Sequence, residues 1–386
     1  MNRNRLGMLA AAAMAMLAAI AVGCVTTRRI VSSAIPAFAY VSNQNDNNVT
    51  AYSVGIPSGA LVAVAGSPFT GTTGPRNMAL CHSGQLLYVA NGDTNGVSGY
   101  KIDLATGALT PVPGSPFAGG NAPRGIAADP SGSFVYVANS GDNTVSGYAI
   151  NGNTGALTPV PGSPFAVDNG PFGITVDPTG RFVYAANHHS SDISAYSINA
   201  KTGALAAITG SPFADGGVDE VQTGPFEIAV TPSGSFLYVT NHFTNDVAGF
   251  NINTSSGALT PFSSGPYPAG NEPFGIQVAP SGDFVYVANR GSADIYVYSV
   301  DPGTGALLQI EGSPYSVGEI DDCSPSPYEL ALDGTGSFLY APDNGCGVVS
   351  AFSVDAATGA LTMMPGSPFA AGNGAYGVAI SRLRVQ

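Results

Sequence analysis

Seven tyrosines recur at a near-constant interval. Tyr40, Tyr88, Tyr136, Tyr184, Tyr238, Tyr286 and Tyr340 are separated by 48, 48, 48, 54, 48 and 54 residues. Each has Phe or Leu two positions earlier, and most begin a Tyr-Val-Ala-Asn run or a close variant of it. A unit of this length cannot bury both of its faces alone, so copies must stack. The period suits a four-stranded propeller blade, and seven copies suit a closed ring.

One copy shows the pattern. "PFGITVDP" (171–178) reads as a strand closed by a turn, and "RFVYAAN" (181–187) as the next strand. In the second, Phe182, Tyr184 and Ala186 share one face while Val183 points the other way. "DISAYSIN" (192–199) alternates again, "TGAL" (202–205) opens an outermost strand, and "GSPF" (210–213) is expected to terminate it. The 51 Gly and 29 Pro are accounted for by turns, and no long amphipathic helix is expected. The expected fold is all-β: a seven-bladed β-propeller of four-stranded antiparallel blades spanning 37–381. The chain enters at a second strand, "AFAYVSN" (37–43), and leaves at a first strand, "AYGVAIS" (375–381). The C-terminal strand should therefore close the ring by joining the N-terminal three.

These residues carry a resemblance. The "YVAN/YVTN" strand, the "TGAL" turn, the "GSPF" end and the proline-glycine first strand resemble YVTN-type seven-bladed propellers, from about Ala37 to Ser381. That class includes the lactonase family, whose named member is 6-phosphogluconolactonase. The resemblance implies the fold strongly and the chemistry weakly, because propellers host many functions.

The first 24 residues read as an export signal, with Arg3 and Arg5 before an Ala-rich apolar run. Ala21-Val22-Gly23-Cys24 resembles a bacterial lipobox, which implies acylation of Cys24 and a membrane partner through an N-terminal lipid anchor. The alternative is an uncleaved membrane anchor. Val25 stands where the inner-membrane retention signal has Asp, implying the outer membrane in a cell that has one. Residues 25–36 would be a linker and 382–386 a tail. The net charge of −13 and the scattered cations exclude a nucleic-acid partner.

The first strands start around one mouth of the channel, here called the upper face. After the proline (an alanine in the last copy) stand Arg76, Arg124, Phe172, Phe226, Phe274, Tyr328 and Tyr376, with Asn77, Glu227 and Glu329 one residue further on. An arginine pair facing carboxylates across an aromatic rim is a candidate site for a small anionic or sugar-like ligand. The competing expectation is a plug. Members of the lactonase family often carry "GPRH" at the first of these sites. Arg76 matches its arginine, but Asn77 occupies the histidine slot and is no general base. Arg124, Glu227 and Glu329 are the remaining catalytic candidates.

His188 and His242 follow the strand-ending Asn in adjacent copies and are candidate ligand contacts, otherwise expected to be solvated loop residues. No third ligand stands at diagnostic spacing, so no metal is expected. No cofactor motif is present either. The acidic insertions at 215–220 and 318–323 read as a solvated rim, and His82 as a surface residue on the opposite face. In an oxidising compartment Cys323 and Cys346 are the natural disulfide pair, leaving Cys81 as a small buried hydrophobe. The expected function is a monomeric, lipid-anchored scaffold binding a ligand or an envelope protein. The alternative is an exported lactonase-like hydrolase working at the channel mouth.

Overall fold

The computed structural model describes residues 37–81, 84–215, 222–318 and 322–381. The signal segment with Cys24, the linker 25–36, His82, residues 216–221 and 319–321 of the acidic insertions and the tail 382–386 lie outside the described residues. Among those described there is no helix, and the strands form seven antiparallel sheets.

Blade four is representative. Pro171–Val176 is innermost, followed outward by Phe182–Asn187, Asp192–Ile198 and Leu205–Ala207. The "GSPF" segment does more than end the outer strand. Ser211 Oγ accepts a hydrogen bond from Ala195 N at 2.9 Å, and Phe213–Ala214 then pairs beside Leu205–Ala207 with the start of the third strand. The ring closes as the chain termini require: Ala375–Ile380 pairs with Ala37–Asn43, completing a blade with Asn48–Val54 and Leu61–Ala63.

Each blade is joined to the next by its repeat tyrosine. The Tyr40 hydroxyl donates to the Gly107 carbonyl at 3.1 Å, and Tyr184 to Gly257 at 2.9 Å. The same bond recurs from Tyr88 to Gly155, Tyr136 to Gly203, Tyr238 to Gly305 and Tyr286 to Gly359. Tyr340 closes the circle by donating to Gly59 at 2.7 Å. The acceptor is always the glycine of the outer turn in the neighbouring blade. That glycine has positive φ, +77° at Gly107, and a Cβ there would collide with the Phe38 ring. The Phe-x-Tyr pair thus needs a bare backbone to lie on. Its aromatic rings contribute roughly 1.5–3 kcal/mol each through burial.

A second rank of bonds runs from third strands back to the preceding blade. Tyr148 donates to Ala118 O at 2.7 Å and Tyr100 to Thr70 O at 3.0 Å. On the lower side of blade two, Cys81 is buried among Leu86, Ile126 and Val135.

Removing the hydroxyl in Tyr40→Phe should cost about 1–2 kcal/mol, since the buried Gly107 carbonyl loses its donor. Gly107→Ala adds both a clash and strained φ, so it should cost more in denaturant unfolding. Equal losses in the two variants would contradict this packing.

Candidate functional site at the upper end of the channel

Every innermost strand carries a bulge at its start. In blade four Pro171 faces Asn187 and Ile174 faces Ala185, so three steps on one strand match two on the other. Five further blades show the same irregularity, and blade seven reproduces it through the Pro327–Asp343 bridge. A bulge re-aims side chains. Here it lets two consecutive residues per blade approach the axis, and these make two layers.

The upper layer is the residue after proline, an alanine in blade one. Ring centroids are 5.0 Å apart for Phe172 and Phe226, 3.5 Å for Phe226 and Phe274, and 4.3 Å for Phe274 and Tyr328. Tyr328 and Tyr376 follow at 4.9 Å. The circle is completed by guanidinium groups: Arg76 lies 5.7 Å from the Tyr376 ring and Arg124 3.8 Å from that of Phe172. The four rings of Phe172, Phe226, Phe274 and Tyr376 are buried as a separate cluster, against which Tyr328 packs. The aromatics therefore cap the channel, where an open aromatic-rimmed mouth was one expectation. Arg76, Asn77, Arg124, Tyr328 and Glu329 keep partial exposure, which marks the accessible side of the cap.

The second layer explains why only three polar residues sit at the axis. Its other four positions are Gly125, Gly173, Gly275 and Gly377, where a Cβ would meet the backbone of the adjoining first strand. Side chains come only from blades two, five and seven, and they meet. Asn77 Nδ2 donates to Glu227 Oε1 at 2.5 Å and to Glu329 Oε1 at 3.2 Å. Asn77 thus bridges the two carboxyl groups, which are close enough to interact directly. Burial raises Glu227 to about 7 and Glu329 well above the usual carboxylate range, the latter raised further by the charge of Glu227. The pair as a whole therefore keeps a proton to higher pH than ordinary glutamates do. Glu227 is itself positioned by Thr240, whose hydroxyl accepts from Glu227 N at 3.0 Å and donates to Phe274 O at 2.7 Å. Ser42 does the same in blade one, bonding Gly377 N and Arg76 O.

The arginines do not face the carboxylates as ion pairs, because they lie in the layer above. Arg290–Glu272, at 3.4 Å on the rim, is the salt bridge found among the described residues. Arg76 Nε, Arg124 Nε and Asn77 Oδ1 are buried without a hydrogen-bond partner. Buried polar groups are normally satisfied, and of those here that are not, these three converge on the axis.

The histidines are not solvated as expected. His188 is buried and stacked on Phe172, with centroids 4.4 Å apart and planes 9° from parallel. Burial lowers it to about 4, so it is neutral, and His242 is lowered for the same reason. Their turns fold inward over the aromatic layer. Among the described residues no group of His, Cys, Asp and Glu is arranged to hold a metal. Cys323 and Cys346 form a disulfide with Cα atoms 5.5 Å apart, tying the crossing loop to the upper turn of blade seven. The opposite end of the channel is a cavity of about 550 Å³ lined by Pro130, Pro178, Pro232, Pro280, Val230 and Val278 among others. Gln277 and Asp333 also line it, and the candidate chemistry lies away from it.

A shared proton between buried carboxyls suits acid–base work, and guanidinium groups above it suit a carboxylate or a developing oxyanion. Fold and centre together define a seven-bladed propeller with a polar cluster on its axis. The lactonase, 7-bladed beta-propeller family model matches residues 26–119, 111–221 and 169–322, and the chain belongs to that family. No curated protein matches the sequence. Among solved structures, a Bacteroides uniformis protein provisionally named a 6-phosphogluconolactonase superposes with a TM-score of 0.75. It is 17% identical, covering 90% of this chain and 99% of that one. The periplasmic gluconolactonase of Pseudomonas aeruginosa gives 0.74 at 17% identity, covering 91% and 100%. A Lactobacillus plantarum protein gives 0.72 at 20% identity, covering 89% and 99%. These likenesses establish the fold.

The carboxyl pair gives stability a pH dependence of definite sign. Both groups hold protons in the fold more tightly than in the unfolded chain. Their stabilisation is therefore present at low pH and lost as pH rises through the raised values. Glu329→Gln keeps the donor and removes one titration. It should match the parent at pH 5 and exceed it by about 1–3 kcal/mol at pH 8. A constant difference across that range, measured by denaturant unfolding, would refute the shared proton.

Proposed function

We propose that this chain is an exported, lipid-anchored propeller that binds a small anionic or sugar-like ligand at the upper end of its channel. The observation that carries this reading is the pair Arg76 and Arg124, whose buried Nε groups have no partner above a polar cluster on the axis. Guanidinium groups without carboxylate partners are suited to a carboxylate, lactone or polyol oxygen. Aromatic walls with a few convergent polar groups are the usual make-up of such sites.

Lactone hydrolysis is the second reading, and the Glu227–Glu329 pair favours it. Glu227 would take a proton from water as the water oxygen bonds to the lactone carbonyl carbon. Arg76 and Arg124 would stabilise the oxyanion, and Glu329 would protonate the ring oxygen as its bond to that carbon breaks. The product is the hydroxy acid. The family assignment supports this reaction class, and the absent family histidine at Asn77 requires the carboxyl pair to replace it.

Export rests on the signal-like N-terminus, the disulfide, and likeness to a protein named as periplasmic. Ala37 enters beside the turns Gly55–Pro57 and Asp333–Thr335, on the face opposite the site. The 12 residues of 25–36 span at most about 40 Å and would join an anchor at Cys24 to the face opposite the site.

Titration calorimetry against sugar acids and lactones should give saturable binding that weakens about tenfold or more, at least 1.4 kcal/mol, in Arg124→Ala. A folded Arg124→Ala that binds as tightly as the parent would overturn the site. For the anchor, Cys24→Ala should move the protein from the detergent phase to the aqueous phase. Unchanged partitioning would refute lipidation.

A further inference from the structure

The residues that follow the strand-ending Asn or Asp are small or polar in most blades. Blades four and five instead carry His188-His189 and His242-Phe243. Phe243 is the one aromatic among the exposed large hydrophobics of the described residues, at 51% exposure. Its position is built. A Cβ on Gly224 would collide with one edge of the Phe243 ring, so that ring packs against bare backbone while half of the residue stays exposed. His189 lies in the same way over Gly170 and is also exposed. Between them sits buried His188, 4.9 Å from Phe243 and 5.0 Å from His189.

This platform is continuous with the arginine site. Phe172 has His188 stacked at 4.4 Å and the Arg124 guanidinium at 3.8 Å. Two groups that close cannot share one face of a ring, so Phe172 separates them as a partition. Across Phe172 from Arg124 lie His189 on blade four and Phe243 on blade five.

We propose that Phe243 and His189 form a stacking platform for the apolar face of a pyranose ring, carried by the part of the ligand that projects from the channel mouth. This deepens the reading of the arginine site: the ligand class is a glycosylated sugar acid or its lactone, larger than a free monosaccharide acid. An aromatic ring presents a broad apolar surface at low conformational cost. Among the described residues the platform's fringe includes Gln222, bonded to His189 O, and Ser190, bonded to Asn169 N. A ring with one apolar face and hydroxyl edges fits it.

Calorimetry with three probes separates the claims: gluconate for the arginine site, lactose for the platform, and lactobionate, which joins a galactosyl ring to gluconate, for both. Lactobionate should bind at least about tenfold tighter than gluconate. Phe243→Ala should erase that advantage without changing gluconate affinity, and Phe243→Trp should retain it. Equal affinity for gluconate and lactobionate would overturn the platform and leave the arginine site standing. Lactose binding that depends on Phe243, with no gluconate binding, would support the platform and overturn the arginine site. No binding of any probe would overturn both.

Discussion

The structure depends on one hydrogen bond repeated around a circle. Each repeat tyrosine donates its hydroxyl to the glycine carbonyl of the next blade's outer turn, and Tyr340 returns the series to Gly59. The bond is buried, so losing it leaves an unpaired carbonyl. It also explains the pairing of two distant motifs. Tyr needs an acceptor at fixed reach, and the ring two residues before it needs a glycine to lie on. A blade that lacked either would still form strands but would not hold its neighbour at the required angle.

That angle decides what happens at the axis. Seven first strands converge there with room for few side chains, so four second-layer positions are glycine. The three that are not, Asn77, Glu227 and Glu329, are drawn into contact whether or not chemistry follows. Two carboxyl groups so close, and buried, cannot both ionise cheaply, and sharing a proton is the physical resolution. The aromatic layer above shields this cluster over blades four to six, while the arginines keep its other side approachable. The fold thus produces a proton-holding centre and its cover from one geometric constraint.

The blade count, strand order and ring closure were legible because they follow from alternation and spacing. The upper-layer residues were legible for the same reason, since all seven follow the residue that opens a first strand. Their role as a cap was not, because spacing along the chain does not reveal the width of the bore. The contact of Asn77 with Glu329, 252 positions apart, exists only once the ring has closed. His188 was misread because a polar residue in a turn normally faces water, and only the stacking on Phe172 shows otherwise. Thr240 and Ser42 stand where most copies have alanine. A hydroxyl at that place in blade five, where the second layer also carries Glu227, was the available signal. The turn motif does more than its sequence suggests: its serine bonds the middle of the third strand as well as ending the outer one.

The most direct measurement of the central claim is carbon-13 NMR of protein labelled in its glutamate carboxyls, titrated from acid to pH 8. The account requires one carboxyl to remain protonated at pH 7, and that signal to vanish in Glu329→Gln. Two independent carboxyl titrations, both complete below about pH 5, where ordinary glutamates ionise, would contradict it.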